Sequence, residues 1–448
     1  MTRVAHHRRL WGSLVLAASV GASVLSAPSA VAQPTTSTAV VEIGALLSIT
    51  GGGSSLGNTS RAALEVAALR WNQQFARQHR ATRVKLDIVD TGQDPTRAVS
   101  GFNALADRGA RIIIGPQSSS EVAPIQPLAN SRGVLIVSQG STASSLAMPN
   151  DNLFRFVPND HIEGRATTDL LVGQGAKIIV PLWRDDRGNQ GLSDSVRAAA
   201  TTSGAQVTGG FRYEPTTTNF GPAVTEIGGQ VAAAVQQVGA SHVAVYLAGF
   251  EEVAGVLSAA AQVPGLGNVA WYGGDGSAQA PQLIQSATSA AFAVKARGFA
   301  SPLVALPASF AKRDASLIQQ IGRRAHSTPD AFALAAYDAV NVAVTTLTAT
   351  GPGIDGPTLR AAFAKTADGY AGVTGTIQLD PAGDRASAPY AYWSICTSKA
   401  GARWTRTGTW TPSATAPTGP GSVTGGSCPA ERDGTLKRGR AGAISRGR

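Results

Sequence analysis

Short apolar runs of strand length, each followed by a polar loop and then a stretch with helical spacing, recur along most of this chain. That alternation restricts it to α/β architectures with mainly parallel sheets. Residues 40–47 (VVEIGALL) read as a strand, and residues 60–75 place Ala63, Leu64, Ala67, Ala68 and Trp71 at helical spacing. A strand over 84–89 precedes a helix over 95–105, with Asp94 as its N-cap and Pro95 in its first turn. A buried strand over 111–114, a helix over 121–130 and a strand over 134–137 complete the first series. A second series follows Asn159, with strands over 177–182, 206–211, 242–247 and 269–272 and helices over 162–172, 192–202, 220–238 and 251–261. Two successive α/β units result. Beyond them, 292–299 reads as a further strand, 307–325, 330–348 and 355–365 as helices, and 375–379 and 390–396 as strands.

A length of 448 residues supports two lobes, because single cores rarely grow past roughly 250–300 residues. Only 15% of residues are charged and 43% are hydrophobic, which excludes a disordered polyelectrolyte. The net charge of +10 sits mostly at the ends: three Arg within residues 1–32, and six basic against two acidic residues in 429–448, leaving about +3 for everything between. A nucleic-acid-binding core is therefore unsupported, and no nucleic-acid partner is expected.

The first 32 residues have the layout of a secretory signal: a basic head with Arg3, Arg8 and Arg9, an apolar run over 10–25, and Ala30-Val31-Ala32 before Gln33. The alternative is an uncleaved anchor. No Cys follows the small residues, so a lipid anchor is not indicated. Export gives meaning to the two cysteines, Cys396 and Cys428, which an oxidising compartment would join, the alternative being two free thiols. From about Lys399 the composition turns to Thr, Pro, Gly, Ser and Arg, and 399–448 reads as a mostly unfolded tail whose Trp404 and Trp410 could dock on the body.

Motifs of catalysis are missing. There is no GxSxG, GxxxxGK[ST] or HExxH, and no GxGxxG between a strand and a helix. The four histidines beyond the leader, His79, His161, His242 and His326, are isolated in sequence, and no Cys/His cluster exists to hold a metal. What does stand at the strand ends is a pair of polar loops. Gly115-Pro116-Gln117-Ser118-Ser119-Ser120-Glu121 follows one strand, and Ser138-Gln139-Gly140-Ser141-Thr142-Ala143 follows the next. Serine hydroxyls and free backbone N–H groups at a helix N-terminus suit a carboxylate, and open α/β sheets take ligands at this edge.

These residues carry a resemblance. The order of motifs, Ile43-Gly44-Ala45-Leu46, Thr50-Gly51, Gly57, Asp90, Asp94-Pro95, Ile114-Gly115-Pro116, Ser138 to Thr142 and Phe154-Arg155, resembles type I periplasmic binding proteins of the leucine/isoleucine/valine branch, which feed ABC importers. The match spans about 40–398. It implies two lobes, each a mainly parallel sheet flanked by helices, joined by a three-strand hinge: 39–159 plus 300–373 in one, 160–299 plus 374–398 in the other, after a leader over 1–32 and a linker over 33–38. It also implies a non-catalytic, exported, monomeric protein without a cofactor or metal, which traps an amino acid or related small carboxylate between the lobes and presents it to a membrane permease. A ligand sensor of the same fold, or a secreted hydrolase on an α/β scaffold, are the alternatives.

The resemblance places the α-carboxylate clamp at Ser118, Ser119, Gly140, Ser141 and Thr142, and the acceptor of the α-ammonium at Asp275, in Gly273-Gly274-Asp275-Gly276, where the family more often has Glu. Spacing alone favours a turn role for Asp275, and it is the family position that assigns it to the ligand. Phe250 corresponds to an aromatic that closes over the ligand. Arg187-Gly188 stands where many relatives have Tyr-Gly. Arg187 in the cleft would draw a second anionic group; pointing outward, it would be a solvated neighbour of Asp185 and Asp186.

Overall fold

The computed structural model describes residues 39–429 apart from residue 352. The stretches read from the sequence as a leader (1–32) and a linker (33–38), and residues 430–448 of the tail, lie outside the described residues.

The first series builds β1 (Ala39–Leu47), α1 (Ser54–Arg77), β2 (Thr82–Asp90), α2 (Pro95–Asp107), β3 (Ile112–Ile114), α3 (Ser119–Arg132), β4 (Leu135–Ser138) and β5 (Leu153–Arg155). The strands form one parallel sheet in the order β2-β1-β3-β4-β5. β3 and β4 are three or four residues of unbroken apolar or small side chains, all buried, as strands covered on both faces must be. Asp94 caps α2 as expected, its carboxylate accepting from Thr96 N at 2.7 Å and Arg97 N at 3.1 Å.

The chain crosses to the second lobe after β5. There it forms α4 (Asp160–Gly173), β6 (Ile178–Arg184), α5 (Arg187–Thr202), β7 (Gln206–Val207), β8 (Phe211–Tyr213), α6 (Gly221–Val238), β9 (Val243–Ala248), α7 (Val253–Ala260), β10 (Ala270–Gly273), α8 (Gln282–Gln285) and α9 (Ala287–Lys295). The sheet is again parallel, β10-β9-β6-β7, with β8 also on β6. The single strand read over 206–211 is two. It detaches where Pro181 of β6 offers no N–H, and Gly210, at φ +71, lies so close that a Cβ would sit 2.2 Å from the Pro181 carbonyl oxygen. The strand read over 292–299 is not present. Residues 287–295 are helical, started by Ser286, whose hydroxyl accepts from Ser289 N, and the helix ends before Arg297 and Gly298, both at positive φ. Phe292, Ala293 and Ala296 are buried on its inner face, the one- and four-residue spacing of a helix rather than the two-residue spacing of a strand.

β11 (Ser301–Val304) returns the chain to the first lobe, where α10 (Ala308–Arg313) leads into α11 (Ala315–Ala325), α11 and α12 (Ala331–Thr350) pack on α1, and α13 (Gly356–Ala367) packs on α12. A small hairpin, β12 (Ala371–Gly372) with β13 (Gly375–Thr376), precedes the third crossing. This crossing is tied to the first: Arg155 bridges Asp384 in the backbone and pairs with its carboxylate through a fully buried guanidinium.

The tail is the largest departure from the sequence reading. β14 (Tyr390–Ser398) pairs with β11, and the supposedly unfolded stretch adds β15 (Gly401–Thr411) and β16 (Ser422–Gly425) to make an antiparallel sheet, β11-β14-β15-β16. Trp410 is fully buried, its indole N–H donating to Asp169 at 2.8 Å, and Gly421 N donates to the same carboxylate at 2.8 Å. Trp404 donates to the Ala280 carbonyl at 2.9 Å. Cys428 is joined to Cys396 of β14 in a disulfide. In the Thr- and Gly-rich sequence, the Trp404 and Trp410 side chains and the covalent link supply the burial that composition alone did not promise.

Candidate ligand-binding site

The two polar loops leave β3 and β4 at the C-terminal edge of the first sheet. Gly115, at φ +86, lets the chain turn where any Cβ would lie 2.1 Å from the Leu46 carbonyl oxygen. Ser118 then caps α3 with its own hydroxyl free of any capping bond. Ser119 Oγ receives the N–H of Ala143 at 3.1 Å and lies 3.0 Å from Ser141 Oγ. Ser138 Oγ, bonded to the Pro116 carbonyl at 2.6 Å, accepts from Ser141 N at 2.9 Å and fixes the second loop against the first.

Opposite them, the second lobe presents the N-terminus of α5, the turn after β9 and the turn after β10. Residues from both lobes enclose one small cavity of about 20 Å³, lined by Ser118, Ser119, Gly140, Thr142, Phe250 and Asp275 together with Leu56, Gln117, Gly188, Asn189, Leu192, Gly276 and Phe332. It is far below the roughly 300–1,000 Å³ of ligand pockets in general, so the lobes must part to admit a solute. Of the residues singled out from the sequence, six line this cavity. Ser141 does not: its side chain is fully buried behind Ser119. Arg187 does not either. It is exposed at the rim, its N–H donating to Ser120 Oγ and its guanidinium to Ser145 Oγ, both at 3.1 Å, and it lines an open groove of about 750 Å³ with His161 and Asp194. Arg187 therefore links the two lobes instead of entering the cavity.

A second link stands on the opposite side. The Glu251 carboxylate, in the turn after β9, accepts from Ser55 N at 2.7 Å and Ser54 Oγ at 3.4 Å, both in the first turn of α1 in the other lobe. Gln282 supports it, donating to Glu251 at 2.6 Å and to Ser55 Oγ at 3.2 Å. A carboxylate at a helix N-terminus is favourably placed against the helix dipole.

The floor of the cavity is acidic to a degree the sequence did not disclose. Asp275 N donates to Glu163 Oε1 at 2.9 Å. Glu163 and Asp160 occupy the first turn of α4 and are completely buried, and among the described residues no donor completes a hydrogen bond to the Asp160 carboxylate or to Glu163 Oε2, and the Tyr246 hydroxyl has no hydrogen-bond partner. Burial pushes the Asp160 carboxyl up to about 7. Burial, and then the neighbouring Asp275 charge, hold Glu163 well above the usual carboxylate range, and burial raises Asp275 as well. Among the described residues no group of His, Cys, Asp and Glu side chains is arranged to hold a metal ion.

Against known proteins, residues 40–399 match the family model for the periplasmic binding protein. The chain belongs to that family. Within it, the fold is that of the leucine-binding type I proteins. A leucine-binding protein, LivK, of Thermotoga maritima superposes with a TM-score of 0.67 at 21% identity, over 82% of this chain and 97% of that one. A solute-binding protein of an ABC transporter from Rhodopseudomonas palustris, solved with benzoate, gives 0.65 at 17% identity, over 82% and 96%. Protein MJ1266 of Methanocaldococcus jannaschii is 27% identical over 388 residues, 83% of this chain and 89% of that protein. Several of the solved structures are described as substrate- or solute-binding proteins of ABC transporters. Sequence reasoning missed Leu56, Leu192 and Phe332 as cavity walls, since only the fold brings their segments to the loops, and it gave no role to Gln117 and Asn189, which adjoin Ser118 and Gly188 in sequence.

Proposed function

We propose that this periplasmic binding protein is an exported, non-catalytic monomer that captures a small carboxylate, most simply an amino acid, in the interlobe cavity and delivers it to an ABC permease. The observation that carries this reading is the pairing of opposite chemistries across one enclosed space. Hydroxyls and a helix N-terminus in the first lobe suit a carboxylate, and the Asp275 carboxylate in the second suits an ammonium. Contacts from both lobes exist together only when the lobes are shut, so a ligand that makes them draws the equilibrium toward closure. The related proteins bind leucine in one case and benzoate in another, and the presence of Asp275 favours the ligand that carries an amino group. Calorimetric titration of the folded protein with the twenty L-amino acids, benzoate and 3,4-dihydroxybenzoate tests the proposal. Saturable binding of an amino acid supports it, and silence across the whole panel overturns it.

A further inference from the structure

The acidic floor holds more carboxylate than one amino group needs. Asp275 faces the cavity; Glu163 lies behind it, one oxygen accepting the Asp275 N–H and the other buried with no donor to it, the Asp275 carboxylate being its neighbour. The charged and titratable groups around Glu163 are Asp160 one turn earlier on α4, Asp275 after β10, Tyr246 on β9 and Tyr390 on β14. Two cations reach this cluster: Arg155 is committed to Asp384 and two backbone carbonyls, and Arg385, behind Tyr390, is held by the Thr374 carbonyl. Among the described residues no positive side chain is bonded to Glu163 or Asp275 to balance a second negative charge there, and a buried unpaired charge is costly.

We propose that Glu163 stays a neutral acid in the shut cleft, donates its proton to the Asp275 carboxylate, and so leaves Asp275 as the lone negative charge that meets a ligand's amino group. Glu163 is thus a positioning residue: its carbonyl oxygen holds the Asp275 backbone and its O–H holds the Asp275 side chain. Once an ammonium pairs with Asp275, Glu163 faces a neutral ion pair, and burial alone governs it. Parting the lobes admits water to this floor, where Glu163 ionises more readily. The proton affinity of the shut form is the higher one, so shutting takes up a proton, and affinity is fullest at low pH and falls as pH rises through the Glu163 value of the shut state. This inference rests on the proposed amino-acid ligand.

Glu163→Gln separates the role from mere packing, because the amide keeps an acceptor for the Asp275 N–H and a donor for its carboxylate but cannot ionise. The tightest-binding of the twenty L-amino acids is titrated at pH 7 in phosphate and in Tris, whose ionisation heats differ, with thermal unfolding as a folding check. The wild type should take up to about one proton per ligand bound and lose up to about tenfold in affinity per pH unit between the Glu163 value of the parted lobes and that of the shut form, with no further loss above the latter. Glu163→Gln should bind within about threefold of wild type at pH 6, take up no proton and show a flat profile; Glu163→Leu should lose about tenfold or more at every pH. Amino-acid binding without proton uptake, or Glu163→Gln as impaired as Glu163→Leu, overturns the assignment of Glu163 while leaving the proposed function standing. Preference for benzoate over every amino acid overturns the assignment as well. Failure of every compound to bind is instead the failure of the proposed function.

Discussion

Removing the Glu251 carboxylate should weaken ligand capture without touching the cavity. In the shut form Glu251 makes one short, charge-assisted bond across the lobes, to Ser55 N at 2.7 Å, and a long one to Ser54 Oγ at 3.4 Å; its bond to Gln282 lies within its own lobe. A hydrogen bond to a charged group contributes about 1.5–3 kcal/mol. Glu251 is only partly buried, so water recovers some of that on opening, and about 1–2 kcal/mol is the net share specific to closure. Glu251→Ala should therefore raise Kd about 5- to 30-fold, since 1.4 kcal/mol is about tenfold. Calorimetry with the best-binding amino acid gives the Kd ratio, and small-angle scattering of the ligand-free protein gives the shift toward the open form. The wild-type Kd retained within twofold, with unchanged scattering, would refute the view that this contact holds the lobes together.

Three further outcomes test other parts of the structure. Asp275→Ala should weaken amino-acid binding by about 2–5 kcal/mol, roughly 30-fold or more, because it strips the charge partner from an enclosed ammonium; affinity equal to wild type would show that the ammonium sits elsewhere. Cys428→Ser opens a loop with a sequence separation of 32, for which chain entropy gives about 3.7 kcal/mol. It should lower the melting temperature by about 4–5 °C while leaving Kd near wild type, and a melting curve superimposable on wild type would contradict the bracing role of the C-terminal strands. Trp410→Ala should cost about 3–5 kcal/mol of stability, since a fully buried indole and its bond to Asp169 are both lost; denaturant titration measures it.

The fold was legible because its signals are local. Periodicity marked the βα units, Asp94-Pro95 marked a helix start, and the position of the Ser118 and Ser138 loops after apolar strands marked the ligand edge. The residues that escaped did so for definite reasons. Asp160 and Glu163 follow an Asn159 N-cap, where acids in a first turn are ordinary complements to the helix dipole, and nothing local says that both will be sealed from water. Arg187 stands beside cavity residues in sequence, but the helix start at Asp186 turns its side chain to the rim, where Ser145 receives it. The C-terminal strands hid behind a Thr- and Gly-rich composition because their burial comes from partners far away in sequence, Asp169 and Ala280.

The hydroxyl of Ser119 is a relay with two settings. One lone pair takes the Ala143 N–H, which leaves one lone pair and one hydrogen to be divided between Ser141 and the cavity. When Ser141 donates to Ser119, the cavity meets a hydrogen and bare oxygen is welcome there; when Ser119 donates to Ser141, the cavity meets a lone pair and an N–H is. The chemical sense of this wall is thereby switched by a neighbouring serine that does not line the cavity.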